Sequence, residues 1–152
     1  MKKYTTLFAF LVVLSISLFG CSRCNNNTVF TSQFVESFLA TYNFTMTDSL
    51  GNNILEGSFR PKNFADPEIT GLYAVINIID GKYSSLLSRS EKFTGTLDEK
   101  NKKAFVNMNP KISDRNIFLR LDFINDELVG TWEKSGMTGV TDKGKFKATK
   151  IL

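Results

Sequence analysis

The chain has 152 residues, no histidine, two cysteines at positions 21 and 24, and a formal net charge of +4. Without histidine it lacks the commonest general base and the commonest metal ligand, and beyond residue 24 it has neither a thiol nucleophile nor a disulfide. Composition alone therefore excludes Ser/His/Asp triads and the usual zinc sites.

The first element is a leader. Lys2 and Lys3 precede an apolar run over residues 7–19, and Gly20 and Cys21 follow. A positive start, a short apolar core and a small residue at the end are the parts of a secretory signal. The run is well short of the roughly 20 residues a helix needs to cross a bilayer. Leu18, Phe19, Gly20 and Cys21 together resemble the lipobox of bacterial lipoproteins. That resemblance implies cleavage before Cys21, acylation of its sulfur and of its new amine, and a lipid-anchored place in the cell envelope. Ser22 lacks the acid that resembles an inner-membrane retention signal, and no acidic run follows. An outer membrane, on its periplasmic side, is therefore the expected location. The expected division is a signal peptide over 1–20, a lipidated tether over 21–29 and one domain over 30–152. Losing Lys2 and Lys3 lowers the formal charge to +2. With so balanced a mature domain, no nucleic-acid partner is expected. Cys24 reads as a tether residue, and the path from Cys21 to Phe30 spans roughly 30 Å at most.

Downstream the apolar pattern turns to period two, the mark of half-buried strands. Phe30, Phe34 and Phe38 recur at spacing four, which predicts a short helix, reaching only to about residues 34–36, that caps a barrel mouth. Phe38 also fits the first strand, whose apolar face continues through Ala40, Tyr42, Phe44 and Met46. Turn chemistry at 48–53 leads to Leu55, Gly57 and Phe59, and Pro61 and Pro67 bracket a loop. Residues 69–79 are apolar on both faces and read as the most buried strand, closed by a two-residue turn at Asp80 and Gly81. The serine-rich segment 82–90, with Tyr83, Leu86 and Leu87, reads either as a bulged strand or as a loop. Phe93 to Leu97, Ala104 to Met108, Ile117 to Phe123, Leu128 to Trp132 and Gly144 to Ala148 complete the alternation, with a loop through Gly136 and Gly139 before the last.

This count predicts an all-β domain of about eight antiparallel strands, most simply an up-and-down barrel that leaves no edge exposed, with a two-sheet β-sandwich as the rival. A glycine recurs in the apolar phase of five strands, at Gly57, Gly71, Gly95, Gly130 and Gly144. Sharp coiling of a closing sheet would call for that placement. Gly130, Thr131 and Trp132, the meander of hairpins, and the closing Gly144, Lys145 and Phe146 resemble lipocalin-like small barrels found among bacterial lipoproteins. In lipocalins the Gly-x-Trp motif lies on the first strand and here it lies on the penultimate one. The resemblance implies the barrel, and no ligand residues are carried over.

No catalytic residue, cofactor or metal site is expected, and the chain does not read as an enzyme. Asp98, Glu99, Asp126 and Glu127 fall in turns, while Asp122 and Glu133 fall on the outer face, where water keeps carboxylates ordinary. Two readings follow. In the first, the barrel holds an apolar small molecule in a pocket lined by Tyr42, Phe44, Phe59, Trp132 and Phe146. In the second, the barrel is fully packed and serves as a protein-interaction or inhibitor module in the envelope, through its lysine-rich face or the segment after Tyr83.

Overall fold

The computed structural model describes residues 32–111 and 115–151; the expected signal peptide and lipidated tether, with Cys21 and Cys24, lie outside the described residues. One short helix, α1 (Gln33–Phe38), precedes eight strands: β1 (Tyr42–Thr47), β2 (Asn53–Ala65), β3 (Glu68–Ile78), β4 (Ser90–Asp98), β5 (Lys103–Asn107), β6 (Asn116–Ile124), β7 (Glu127–Gly136) and β8 (Gly139–Lys150). They form one closed barrel in sequence order, every neighbouring pair antiparallel, with β1 sealed to β8 from Tyr42 opposite Lys150 to Thr47 opposite Lys145. Closure removes the edges a sandwich would leave.

Period-two alternation places the side chains. Tyr42, Phe44 and Met46 point inward from β1, as do Leu119 and Leu121 from β6 and Phe146 and Ala148 from β8. All five recurrent glycines share this inward phase, and at each one a Cβ would collide with a carbonyl oxygen of the neighbouring strand. Gly144 shows the reason. A methyl there would run into the Thr47 carbonyl and come within 2.6 Å of the Trp132 indole nitrogen, so the seam between β1 and β8 can close only over glycine.

The alternation misplaces four boundaries. Phe38 belongs to α1: Ser32 caps the helix by accepting from the Val35 amide at 3.2 Å, and β1 starts only at Tyr42, where partners on β2 and β8 become available. β2 runs through Pro61 to Ala65 in place of a loop, and Pro61 is tolerated because β2 pairs with β1 only as far as Phe59. The turn to β3 is Asp66–Pro67, with a cis peptide. No hairpin turn forms at Asp80 and Gly81; a 3-10 turn (Gly81–Tyr83) opens a long connection from β3 to β4. Gly136 and Gly139, expected in a loop, instead end β7 and begin β8 around a two-residue turn.

The barrel has two distinct mouths. The turns β2–β3, β4–β5 and β6–β7 surround the one where α1 enters. Ser32 donates to Glu99 at 2.5 Å there, and Phe34 meets Phe123 edge-on at 5.4 Å. The turns β1–β2, β3–β4, β5–β6 and β7–β8 surround the other.

Candidate functional site

The candidate pocket is the barrel interior, and Tyr42, Phe44, Phe59, Trp132 and Phe146 all lie in it, fully or almost fully buried. Strand alternation brings them inside, and the rings of Phe44, Phe59 and Phe146 pack on one another. Phe44 stacks on Phe146 at 5.3 Å, Phe146 meets Phe59 edge-on at 5.9 Å, and Phe59 stacks on Phe93 at 4.4 Å with planes 8° apart. Such pairs add about 0.5–1.5 kcal/mol each beyond burial. Trp132 donates from Nε1 to the Thr47 carbonyl at 2.7 Å and receives the edge of Tyr83 at 6.3 Å. Tyr42 turns its hydroxyl to the end of α1, 2.8 Å from the Ser37 carbonyl and 3.2 Å from that of Phe38. Burial, with Asp126 adding to it, pushes that hydroxyl well above the ordinary phenol range.

At the far mouth the chain between β3 and β4 folds inward. Tyr83, Leu86 and Leu87 are buried and join the core. Beneath them lies Asn109, a buried polar side chain. Its amide donates to the carbonyls of Leu86 at 3.4 Å and Arg115 at 3.0 Å, and its oxygen accepts from Tyr73 at 3.1 Å. Every polar atom of this side chain therefore has a partner, as a buried amide requires. Burial raises the Tyr73 hydroxyl as it does that of Tyr42.

The carboxylates considered for acid/base work are all engaged elsewhere. Asp98 accepts from the Asn101 amide and side chain, and Asp122 and Glu133 pair with Lys103 at 3.3 Å and Arg120 at 2.6 Å on the outer wall. Glu127 pairs with Lys147 at 3.0 Å and Asp126 approaches Lys150 at 3.9 Å. Their hydrogen bonds hold Asp98 and Glu127 below the usual carboxylate range, the opposite of a poised general acid. Among the described residues no three acidic, histidine or cysteine side chains gather to hold a metal.

The outer surface holds what the alternation did not reveal. Phe105 stacks on Phe118 at 5.3 Å with Arg120 5.7 Å from its ring, a diagonal cross-strand set on β5 and β6. An open groove of about 480 Å³ is lined by the 48–51 turn with Leu50, by Thr131 and Glu133, and by Lys143 and Lys145. On the far rim, Leu50 is 86% exposed and Met137 95%, and on the outer wall Ile76, beside Asn43, Thr45 and Glu56, is 73% exposed. The stretch 69–79, expected to be the most buried, fully buries only Ile69, Gly71 and Tyr73, with Val75 half-buried against the core, and its last isoleucines face water. The cause is local: β3 pairs with β4 only to Ala74 opposite Ser90, and a bulge at Ile76 turns the rest outward.

No known protein family matches the chain, and no curated protein matches it.

Proposed function

We propose that the protein is a lipid-anchored, non-catalytic module of the cell envelope, tethered through Cys21 on the periplasmic side of an outer membrane, which works through its outer surface and not through a ligand inside its barrel. One observation supports the choice between the two readings: of the side chains that would line an apolar pocket, Phe44, Phe59 and Phe146 pack on one another, Phe59 also stacks on Phe93, and Trp132 receives the edge of Tyr83. Aromatic cores packed this way have the density of a folded interior. The barrel is a scaffold, and the fold by itself names no partner. Native mass spectrometry of protein purified from its own host tests the packed interior: the expected mass is the polypeptide with its acyl groups alone, and a co-purifying apolar molecule lost on Phe59→Ala or Phe146→Ala would restore the carrier reading. Fractionation tests the anchor. Cys21→Ser is expected to abolish palmitate labelling and membrane partition, and unchanged partition overturns it.

A further inference from the structure

Outward side chains on β3 to β6 line up across one wall of the barrel in two rows. Glu68, Thr96, Phe105 and Arg120 form one, and Thr70, Thr94, Asn107 and Phe118 form the other. In both rows polar side chains of β3 and β4 face an aromatic ring of β5 or β6. Phe105 keeps 41% of its surface exposed although it stacks on Phe118, and Glu68, Thr94 and Thr96 are exposed beside it.

Two shallow grooves follow from this arrangement. The first, about 460 Å³, lies between Glu68, Thr70 and Thr94 on one side and Phe105, Asn107 and Phe118 on the other. The second, about 300 Å³, runs past Asp98, Lys103 and Arg120. Thr96 and Phe105 line both, so the two make one track along β4. From Thr94 to Asp98 it extends roughly 13 Å at the rise of a strand.

What the track can hold is set by which of its groups are free. Its cations are taken: Lys103 pairs with Asp122 at 3.3 Å and Arg120 with Glu133 at 2.6 Å. Asp98 is bound to Asn101. Among the described residues, Glu68, Thr94 and Thr96 have no side-chain partner. Thr70 accepts from Asn63 at 3.2 Å and keeps its own proton to give. The open groups are therefore hydroxyls, which both donate and accept, and a carboxylate, which repels anions. Phosphate and nucleic acid find no unpaired cation here. A folded partner would need about 800 Å² on its side, and two rings bordered by polar side chains offer no apolar core of that size. The backbones of β4 and β5 are paired on both sides, so an extended peptide has no edge to join.

We infer that this wall binds an uncharged glycan, the N-acetylated sugar strand of the cell wall; the choice of strand rests on the proposed periplasmic location. A sugar ring carries C–H groups on its face and hydroxyls around its rim. Laid in the track, the face meets the exposed part of Phe105, and the hydroxyls reach Thr94, Thr96 and Glu68. An acetamido group adds one donor for Glu68 and one acceptor for the threonines.

The test uses the full mature chain from residue 21 with Cys21→Ser, which carries no acyl chain. It is sedimented with purified cell-wall sacculi, and the bound fraction is released with a hexamer of N-acetylglucosamine. Phe105→Ala is expected to weaken binding about tenfold, through the lost stacking. Thr94→Val/Thr96→Val, which keeps side-chain shape and removes both hydroxyls, is expected to weaken it about fivefold. Thr45→Val on β1, across the barrel, is expected to change nothing, and an unchanged far-ultraviolet spectrum shows each variant folded. A parent chain that stays in the supernatant overturns the proposal, as does a Phe105 or double-valine variant that binds like its parent. Release by the stem peptide and not by the sugar hexamer overturns it too. So does a dimer in sedimentation that Phe105→Ala dissolves, which would make the wall a contact between copies. Failure here leaves the anchor and the packed interior untouched, since fractionation and native mass spectrometry read those separately.

Discussion

The two mouths of the barrel are closed from within by the same device and finished differently on the outside. At the helix mouth, α1 lays Phe34, Val35 and Phe38 over the opening, and the Tyr42 hydroxyl ties the helix end to the wall. At the far mouth, an irregular connection lays Tyr83, Leu86 and Leu87 over it, and Asn109 ties Tyr73 to the backbone at Leu86 and Arg115. Each plug is apolar mass fixed by a buried polar group. A regular helix and an irregular loop are thus interchangeable as lids, provided that backbone polar groups find partners. What differs is the turn tips, where Leu50 and Met137 stand exposed at the far mouth and Lys100, Asn101 and Asn125 at the helix mouth, and packing does not require that difference.

Removing plug mass at each mouth should give the largest effects. Phe38→Ala is expected to cost about 3–5 kcal/mol and Leu86→Ala about 2–5 kcal/mol, read as a drop in urea midpoint at unchanged slope. Comparable losses would make both lids part of one cooperative core. A loss below about 1 kcal/mol for Leu86→Ala alone would show the far lid to be loosely seated.

The next effect lies in the wall near the far mouth. Gly144→Ala should cost about 1–3 kcal/mol, because its methyl meets the fixed Thr47 carbonyl and the Trp132 indole. Gly51, with φ +90° and nothing within 4 Å of an added Cβ, isolates backbone conformation from space. Gly51→Ala should cost about 1 kcal/mol, from the left-handed region alone. Equal costs would mean that the seam relaxes around Gly144.

The buried tyrosines, one at each mouth, compare the lids by pH. Both hydroxyls are raised in the folded chain, so the unfolded chain loses its phenolic protons first. Stability from these groups is complete below about pH 10 and is lost as pH climbs through the folded-state values. Tyrosinate absorbance should therefore rise for Tyr42 and Tyr73 together with unfolding. Tyr42→Phe should flatten the alkaline slope more than Tyr73→Phe, because burial acts unopposed at Tyr42 whereas hydrogen bonds at Ser88 offset part of it at Tyr73. A tyrosinate step well before unfolding at either position would mean that its lid opens to water.

Legibility in the sequence follows the range of the interactions. The closed eight-stranded order and the five inward rings could be read because side chains alternate strictly along a strand, and Tyr42, Phe44, Phe59, Trp132 and Phe146 each hold that phase. Phe38 was ambiguous because spacing four and spacing two coincide there, and the choice is made by the cap at Ser32 and by where β8 begins to pair. Ile76, Ile78 and Ile79 were misread for a non-local reason. An apolar run looks buried unless its neighbour is known to depart, and β4 departs at Ser90 because the intervening chain is drawn into the mouth by Tyr83, Leu86 and Leu87. The exposed tips Leu50 and Met137 were illegible for the same cause, since each looks like an isolated turn residue until the topology sets them at one end.

The smallest effect on stability is expected where the two ends differ most. Leu50→Ser and Met137→Ser should leave the urea midpoint within about 0.5 kcal/mol of the parent, since neither side chain is packed in the folded barrel and both are equally wetted on unfolding. Ile78→Ser should cost somewhat more, being only 38% exposed and opposite the buried Leu55. This order, near zero at the tips and rising toward the wall, is the signature of side chains retained for something other than the fold. If Met137→Ser instead lowered stability by more than about 1 kcal/mol, the prong would be folded back on the barrel in solution, and the contrast between the two rims would reduce to packing.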